Sequence, residues 1–179
     1  MDRIIRPRGA AWYAAKALER QFFYAIDTRG ALYLEEAMHR NVATSFKDPP
    51  FLRTFYTMLR RSGGVEDGDY PLLTTCGKEK NFVLPEDPRS VLGFTELTNG
   101  HLVFGGGQFK ERFDPSLLSF SHSSGRLYHP LRETLQKHLK NELGLLHPHI
   151  AQGLAMSPST SSSYLLNWQG KLYSLKSID

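Results

Sequence analysis

The chain has 179 residues, of which 40% are hydrophobic and 12% aromatic, and this content excludes a wholly disordered protein. Its single cysteine, Cys76, excludes an intrachain disulfide and a zinc site built from several cysteines, and it favours a reducing compartment. The formal charge of +4 permits contact with nucleic acid or an anionic membrane without requiring it, and no apolar run approaches the roughly 20 residues that span a bilayer.

The N-terminal segment, residues 1–21, is predicted to contain a basic helix. Residues 10–21 have an amphipathic pattern, and the first twenty residues carry five basic side chains against two acidic ones. Two interpretations stay open. The segment is a mitochondrial import signal, since such signals are amphipathic, rich in arginine and poor in acidic residues, or it is an ordinary helix with a solvated basic face. We therefore separate it from a single globular domain that covers residues 22–179.

A hairpin should follow this segment. Aromatic and β-branched residues predict a strand over 22–27, and the composition of 27–30 predicts a turn. Residues 31–35 are then expected to return as the second strand of the hairpin.

The pattern Gly-x-Leu, followed by tyrosine or valine, occurs four times, beginning at Gly30, Gly100, Gly125 and Gly170. The intervals of 70, 25 and 45 residues have no fixed period, which excludes a repeat architecture such as a solenoid or a propeller. Each copy instead predicts a turn glycine that leads into a strand, with the leucine and the residue after it on opposite faces.

The clearest helix is predicted over residues 47–61. The carboxylate of Asp48 can accept the free N–H groups of a first helical turn, and Pro49 suits a position where no N–H is needed. Apolar residues follow at helical spacing. Arg60 and Arg61 are expected to end the helix, where cations favour the negative end of the helix dipole.

Short strands are expected to fill the middle of the chain. An acidic, glycine-rich loop is predicted over 62–69, and Asn99-Gly100 predicts a hairpin turn because both residues tolerate positive φ. The strand candidates are residues 70–75, 81–84, 91–97, 101–106 and 108–113.

A second helix is predicted over residues 129–146, because four leucines recur at every fourth position and Gly144 can stop the helix. His129 would then accept a hydrogen bond at the helix N-terminus, as a neutral imidazole with a lowered pKa. A polar loop over 157–163 and a hairpin over 164–175 complete the chain. The predicted fold class is α+β, a single domain with a mainly antiparallel sheet and hairpins, packed by two or three helices.

Four stretches between Phe22 and Pro130 resemble one known family: FFYAIDTRGALYLEE, SFKDPPFL, CGKEKNF and GRLYHP. They are similar to uncharacterised protein family 0598, whose members are small eukaryotic, mitochondrial proteins of unknown function. The resemblance implies a mitochondrial location and carries over no catalytic residue. Pro85, in NFVLPED, stands where the family motif has a second cysteine, which argues against a disulfide or a two-thiol metal site.

Two residues are candidates for catalysis, Cys76 and His129. Lys78 and Lys80 lie within four residues of Cys76, and nearby cations favour the thiolate, which is the nucleophile. The thiol would also need a base, and the fold could bring a histidine such as His129 to it. The alternative is a buried cysteine that acts as a small apolar residue. The other histidines considered as the base are His39, His101 and His122.

A basic neighbourhood, which contains Lys47, Arg53, Arg60 and Arg61, is interleaved with aromatic residues. Basic and aromatic side chains together can bind RNA through phosphate contacts and base stacking. A helix with an apolar stripe and a solvated basic face has the same composition, so both interpretations stay open.

Neither a cofactor nor a metal is predicted. The run Gly105–Gly107 could cradle an anion, but it lacks the Lys-Ser/Thr pair that completes a phosphate-binding loop. A bulge or close backbone packing explains it better. His147 and His149 flank a proline and have no acidic or cysteine partner nearby in the sequence, so they are not assigned a metal.

These features favour a non-catalytic interaction or assembly factor of the mitochondrial matrix with a protein partner. RNA, as part of a ribonucleoprotein, is the alternative partner, and the cytoplasm is the alternative location. Two other functions stay open: an enzyme that uses Cys76 with a histidine, and a structural subunit of a larger complex.

Overall fold

The computed structural model describes residues 1–37, 39–63, 70–160 and 163–179. Across these residues the chain forms an α+β domain of mostly antiparallel sheets and short helices, as the sequence predicts. The predicted acidic loop falls mostly on 64–69, outside the described residues.

The helices are α1 (Ala10–Leu18), α2 (Pro49–Thr57), α3 (Gln136–Leu139) and α4 (Pro148–Gly153). The strands are β1 (Gln21–Ile26), β2 (Leu32–Leu34), β3 (Arg60–Arg61), β4 (Leu72–Cys76), β5 (Glu79–Pro85), β6 (Leu92–Phe94), β7 (Glu96–Thr98), β8 (His101–Phe104), β9 (Phe109–Arg112), β10 (Ser119–Phe120), β11 (Leu127–Pro130), β12 (Leu143–Leu146), β13 (Ala155–Thr160), β14 (Ser163–Trp168), β15 (Lys171–Ser174) and β16 (Lys176–Ser177).

The first sheet has the strand order β2-β1-β5-β4-β3. β1 and β2 form the predicted antiparallel hairpin, with Tyr24 opposite Leu34. β1 also runs parallel to β5, with Phe23 opposite Phe82, and most of β1 is buried. A parallel pair requires a crossover connection, and the segment from β2 to β4 supplies it.

Helix α2 begins as predicted but ends earlier. The side chain of Asp48 accepts a hydrogen bond from the N–H of Phe51 at 2.9 Å, which caps the first turn. Arg60 and Arg61 lie in β3 rather than in the last helical turn, so that prediction is wrong. β3 pairs with β4, with Arg60 opposite Leu73, and this tertiary pairing overrides a dipole preference worth at most about 1 kcal/mol at an exposed site.

The second sheet has the order β16-β10-β11-β12-β6 and contains both ends of the segment that was predicted as a leucine-striped helix. That prediction is wrong, because β11 and β12 pair in antiparallel fashion, with His129 opposite Gly144, and only the four residues of α3 are helical. Leu143 lies in β12 and Leu139 in α3, whereas Leu131 and Leu135 lie in neither a helix nor a strand. The leucine spacing therefore reflects burial against the core rather than a continuous helix. The absence of a side chain at Gly144 favours the strand, because Phe94 of β6 packs against it and an added Cβ would lie 2.4 Å from the ring.

Two three-stranded sheets complete the fold, one of β7, β8 and β9 and one of β13, β14 and β15. The hairpin predicted over 164–175 is confirmed by the pairing of β14 with β15. The polar loop predicted over 157–163 is wrong for the residues that lie in β13 and β14, while 161–162 lie outside the described residues. Strand pairing uses backbone groups, so an exposed edge strand needs no apolar side chains.

The turn glycines of the Gly-x-Leu pattern are confirmed. Their φ angles lie between 68° and 84°, a region that favours glycine. The run Gly105–Gly107 lies in the turn between β8 and β9, and a Cβ on Gly105 would lie 2.8 Å from the Phe109 ring, so close packing explains this glycine. The four pattern glycines are Gly30, Gly100, Gly125 and Gly170.

Two clusters of buried side chains hold these layers together. The larger cluster joins α2, the inner face of the first sheet and the second sheet, and it includes Phe55, Leu72 and Phe94. The smaller cluster covers the outer face of the first sheet. There Tyr13 of α1 is only 7% exposed, and its ring centre lies 6.1 Å from that of Phe23. Helix α1 therefore packs as part of the folded domain.

Candidate functional site

An open cavity of about 510 Å³ lies between the N-terminal arm, residues 1–9, and the outer face of the first sheet. We call it the arginine-lined cavity, because three of the residues around it are arginines. Its walls combine these cations with apolar side chains and a buried carboxylate. The lining residues are Arg3, Ile4, Ile5, Arg6, Arg8, Glu35, Tyr70 and Leu84.

Hydrogen bonds and ion pairs hold the arm against the body of the protein. The N–H of Arg3 donates to the carbonyl of Glu86 at 2.7 Å. Asp2 accepts two hydrogen bonds from Arg126, one of them at 2.7 Å, and Arg126 also reaches the buried carboxylate of Asp87 at 3.0 Å. The bonds between Asp2 and Arg126 lower the pKa of Asp2 and raise that of Arg126. The position of the arm is therefore set by long-range contacts.

Glu35, one of the lining residues, follows β2 and is 3% exposed. Its Oε1 accepts from the hydroxyl of Tyr13 at 2.8 Å, and its Oε2 accepts from the hydroxyl of Tyr70 at 2.6 Å. Burial, supported by the hydrogen bond to Glu35, raises the pKa of Tyr13 to about 12 and raises that of Tyr70 as well. Both oxygens of Glu35 are therefore occupied, and both tyrosines keep their protons near neutral pH.

Two of the lining arginines, Arg6 and Arg8, have guanidinium groups that lack an anionic partner among the described residues. The guanidinium of Arg8 lies 4.3 Å from the centre of the Trp12 ring, a cation–π contact. The backbone N–H of Arg8 donates to the hydroxyl of Tyr13 at 2.9 Å, which fixes the chain at this point. Within the part of the chain that the structure describes, the Arg6 and Arg8 guanidiniums make no hydrogen bond or ion pair.

Arg3, the third arginine, is partly buried and donates to the carbonyl of Pro85 at 3.2 Å. Burial lowers its pKa, and the nearby cation of Arg61 lowers it further, because both disfavour the charged guanidinium. Asp87 acts in the opposite direction and is the smallest of the three effects. An anion bound beside Arg3 would offset the first two.

Cys76, the predicted nucleophile, ends β4 and is half-buried. Burial and then the charge of Glu79 raise the pKa of its thiol, so the thiolate that Lys78 and Lys80 were expected to favour is disfavoured. Both lysines are exposed. Among the described residues, no hydrogen bond joins Cys76 to a histidine.

His129 is fully buried in β11, so its predicted position at a helix N-terminus is wrong. Its Nε2 accepts a hydrogen bond from the backbone N–H of Asp114 at 3.0 Å, and its ring centre lies 5.7 Å from that of Phe113. Burial lowers its pKa, which confirms the predicted direction. Nε2 can accept only when it is unprotonated, so these contacts give His129 a structural role as a neutral imidazole.

The basic neighbourhood predicted as a binding face is distributed over several elements. Arg61 donates to both carboxylate oxygens of Glu142, at 2.8 and 2.5 Å. Arg53 of α2 donates to Gln108 at 3.1 Å. Arg60 and Arg61 are successive strand residues, so their side chains point to opposite faces of the sheet. Lys47, the fourth residue, is exposed before α2.

The histidine pair near the C-terminus is also explained by structure. Nδ1 of His147 accepts from the N–H of His149 at 3.2 Å and so caps α4. The described ranges contain no cluster of three or more His, Cys, Asp or Glu side chains suited to hold a metal ion. No helix in the same ranges is long and apolar enough to cross a membrane.

The arginine-lined cavity is not evident from the sequence. Arg3, Arg6 and Arg8 belong to the basic segment predicted over residues 1–21, and no pattern around Glu35 indicates a role for it. One available signal was Pro7, which disfavours a helix between the second and third arginines and indicates an extended arm. The contact of that arm with the sheet depends on residues far along the chain, which no local pattern records.

Comparison with known families assigns the chain to a family. The family model described as "Domain of unknown function (DUF4505)" matches residues 13–178. The matched span includes Glu35 and Tyr70 of the cavity and begins after the three arginines. No solved structure matches the chain. The chain therefore belongs to DUF4505, an uncharacterised family whose function is unknown.

Proposed function

We propose that this protein is a non-catalytic binding protein and that it takes an anionic group of its partner into the arginine-lined cavity. The observation that carries the proposal is the pair Arg6 and Arg8, which line the cavity and whose guanidiniums make no ion pair with any described residue. Arginine stays charged at neutral pH and binds carboxylates and phosphates through paired N–H donors. An anion supplied by a partner would complete these bonds.

The titratable groups around the cavity favour binding over catalysis. General acid–base catalysis works best when the pKa of the catalytic group lies near the working pH. The pKa of Tyr13 is about 12, and that of Tyr70 is also raised. Glu35 already accepts two hydrogen bonds, one on each carboxylate oxygen. These groups suit a fixed binding surface better than proton transfer.

Calorimetric titration of the full chain with benzoate, phenyl sulfate and phenyl phosphate tests this proposal. We expect at least one of these anions to bind, and Arg6→Gln to weaken its binding at least tenfold, which is about 1.4 kcal/mol. Arg112→Gln is the matched control, because Arg112 is an exposed arginine on β9 and does not line the cavity. Absence of binding for all three anions, or equal weakening by the two substitutions, would contradict the proposal.

We further propose that the protein acts in the mitochondrial matrix as an assembly factor with a protein partner, as a eukaryotic member of uncharacterised protein family 0598. The basic N-terminal segment and the four motifs that resemble this family support the proposal. The cytoplasm is the alternative location.

Affinity purification from mitochondria distinguishes a protein partner from RNA. Wild type, Arg6→Gln and the control Arg112→Gln are purified in parallel, each with and without RNase. We expect a protein that survives RNase treatment and is lost with Arg6→Gln but not with Arg112→Gln. A partner that is lost from wild type when RNase is added would indicate that the protein binds RNA rather than another protein. A partner recovered equally with wild type and Arg6→Gln would show that it does not bind at the cavity.

A further inference from the structure

We propose that the anionic group bound in the arginine-lined cavity is a phosphomonoester, the terminal phosphate of a phosphorylated compound. The inference rests on the proposed function, because it names the anion that the arginines take. Three features of the cavity carry it: the excess of positive charge, the number of hydrogen-bond donors and the apolar wall.

The cavity has two positive charges in excess. Arg3, Arg6 and Arg8 supply three cations, and Glu35 supplies the one carboxylate among the lining residues. Each oxygen of Glu35 accepts from a tyrosine hydroxyl, so the carboxylate is held in place without an arginine partner. A phosphomonoester carries about −1.5 to −2 charges at pH 7, whereas a carboxylate or a sulfate monoester carries a single negative charge. The phosphomonoester therefore matches the excess charge.

The hydrogen-bond donors also favour an anion with several oxygens. One guanidinium can satisfy the two oxygens of a carboxylate through a pair of parallel N–H bonds. The cavity presents two guanidiniums that lack an anionic partner among the described residues, those of Arg6 and Arg8. The Trp12 ring, 4.3 Å from the Arg8 guanidinium, orients that group while leaving its N–H edge available. Three terminal phosphate oxygens can accept from both guanidiniums, and a carboxylate offers fewer acceptors.

The apolar wall indicates that the phosphate is attached to an organic group. Ile4, Ile5 and Leu84 line the cavity beside the arginines. Its volume of about 510 Å³ falls within the range of roughly 300–1,000 Å³ that is common for small-molecule sites and exceeds what a phosphate group fills. The organic group would contact this wall, and the phosphate would contact the guanidiniums.

Phenyl phosphate, phenyl sulfate and benzoate share an aromatic ring, so comparing their affinities separates the effect of the anion's charge from that of its shape. Phenyl phosphate has two charges above its second pKa of about 6, phenyl sulfate has the same tetrahedral shape with one charge, and benzoate has two oxygens. In titrations of the full chain above that pH, we expect phenyl phosphate to bind at least tenfold more tightly than the other two. Arg6→Gln and Arg8→Gln should each reduce its affinity at least tenfold, and Arg112→Gln should leave it unchanged.

The outcomes of this experiment distinguish the inference from the proposed function. Equal affinity for the three anions, lost with Arg6→Gln, would overturn the phosphomonoester and leave an anion-binding cavity. Absence of binding for all three would overturn both. Vesicles of phosphatidylcholine, with and without phosphatidic acid, test a lipid source of the same group. Binding to the vesicles with phosphatidic acid that is lost with Arg6→Gln would support the phosphomonoester and identify a lipid as its source. Binding to those vesicles that Arg6→Gln leaves unchanged, without binding of phenyl phosphate, would show a membrane-surface contact and overturn the inference.

Discussion

Gly30, in the turn between β1 and β2, and Gly93, in the middle of β6, lie backbone against backbone. A Cβ added to Gly93 would lie 2.4 Å from the Cα of Gly30, and a Cβ added to Gly30 would lie 2.6 Å from the carbonyl oxygen of Gly93. Gly30 also has a φ of +84°, which other residues rarely adopt. The pair joins a turn of the first sheet to an edge strand of the second sheet, at a distance that only two glycines permit.

Gly93→Ala should therefore lower the free energy of unfolding by about 1–3 kcal/mol, because the added methyl group meets backbone atoms that cannot rotate away. Urea denaturation at equilibrium measures the change. Gly153→Ala is the matched control, since a Cβ there has no neighbour within 4 Å, and it should change stability by less than about 0.5 kcal/mol. Equal stability of Gly93→Ala and Gly153→Ala would show that the two sheets can move apart freely.

Tyr70→Phe should destabilise the protein by about 1.5–3 kcal/mol, the usual range for a hydrogen bond to a charged group. The substitution removes the hydroxyl that donates to Oε2 of Glu35 and leaves that oxygen buried with no donor in its place. Thermal and urea unfolding measure the effect. Tyr164→Phe, at a tyrosine that is 37% exposed, is the control and should change stability little. Similar small losses for both variants would contradict the importance of the buried carboxylate.

His129 predicts a loss of stability in acid. Its folded-state pKa is lowered by burial, while the unfolded chain takes up a proton near the ordinary value of about 6.5. Its contribution is therefore complete above about pH 6.5 and declines as the pH falls from there towards the folded-state pKa, because only the unfolded state gains the proton. Protonation of Nε2 would also remove the hydrogen bond from Asp114.

The comparison of wild type with His129→Gln isolates this contribution, because glutamine does not titrate. The stability difference between the two proteins, measured in urea, should change in favour of His129→Gln as the pH falls below about 6.5. NMR titration of the His129 ring should give a pKa below that value. A pKa above it would contradict the neutral buried imidazole and indicate a carboxylate partner.

The N-terminal segment should remain part of the working protein even if it directs import. It includes Tyr13, which is buried and bonded to Glu35, and the three arginines of the cavity. A reporter fused to residues 1–20 should enter mitochondria, and the intact mass of the endogenous protein should still include this segment. A diffuse cytosolic reporter would contradict the targeting proposal, whereas a mature form without Tyr13 would contradict a cavity built from the arm.

Features that depend on neighbouring residues followed the sequence closely. Asp48 caps α2 through the N–H three residues later, and Asn99 and Gly100 both adopt positive φ in the turn between β7 and β8. In each case the residues that interact lie within three positions of each other in the chain, so composition and spacing are sufficient to predict the geometry.

The prediction of a helix over residues 129–146 is wrong because the leucine pattern on which it rests is compatible with more than one backbone conformation. Leucines at every fourth position indicate burial against a core but do not determine the backbone conformation: Leu143 lies in β12, Leu139 in α3 and Leu131 in neither. The pairing of Tyr128 with Leu145 and of Gly144 with Leu92 places the two ends of the segment in a sheet, in β11 and β12. His129 is therefore a buried hydrogen-bond acceptor and not the predicted helix cap.

The sequence by itself determined the α+β class, the start of α2 and the turn glycines, because each depends on interactions within a few residues. The tertiary structure decided the candidate site. Glu35 receives its hydrogen bonds from Tyr13, 22 residues before it, and from Tyr70, 35 residues after it. Asp2 anchors the arm through Arg126, 124 residues away. Such contacts form only when packing of the whole chain offsets the entropy of closing long loops, so the arginines meet Glu35 and Tyr70 only in the folded protein.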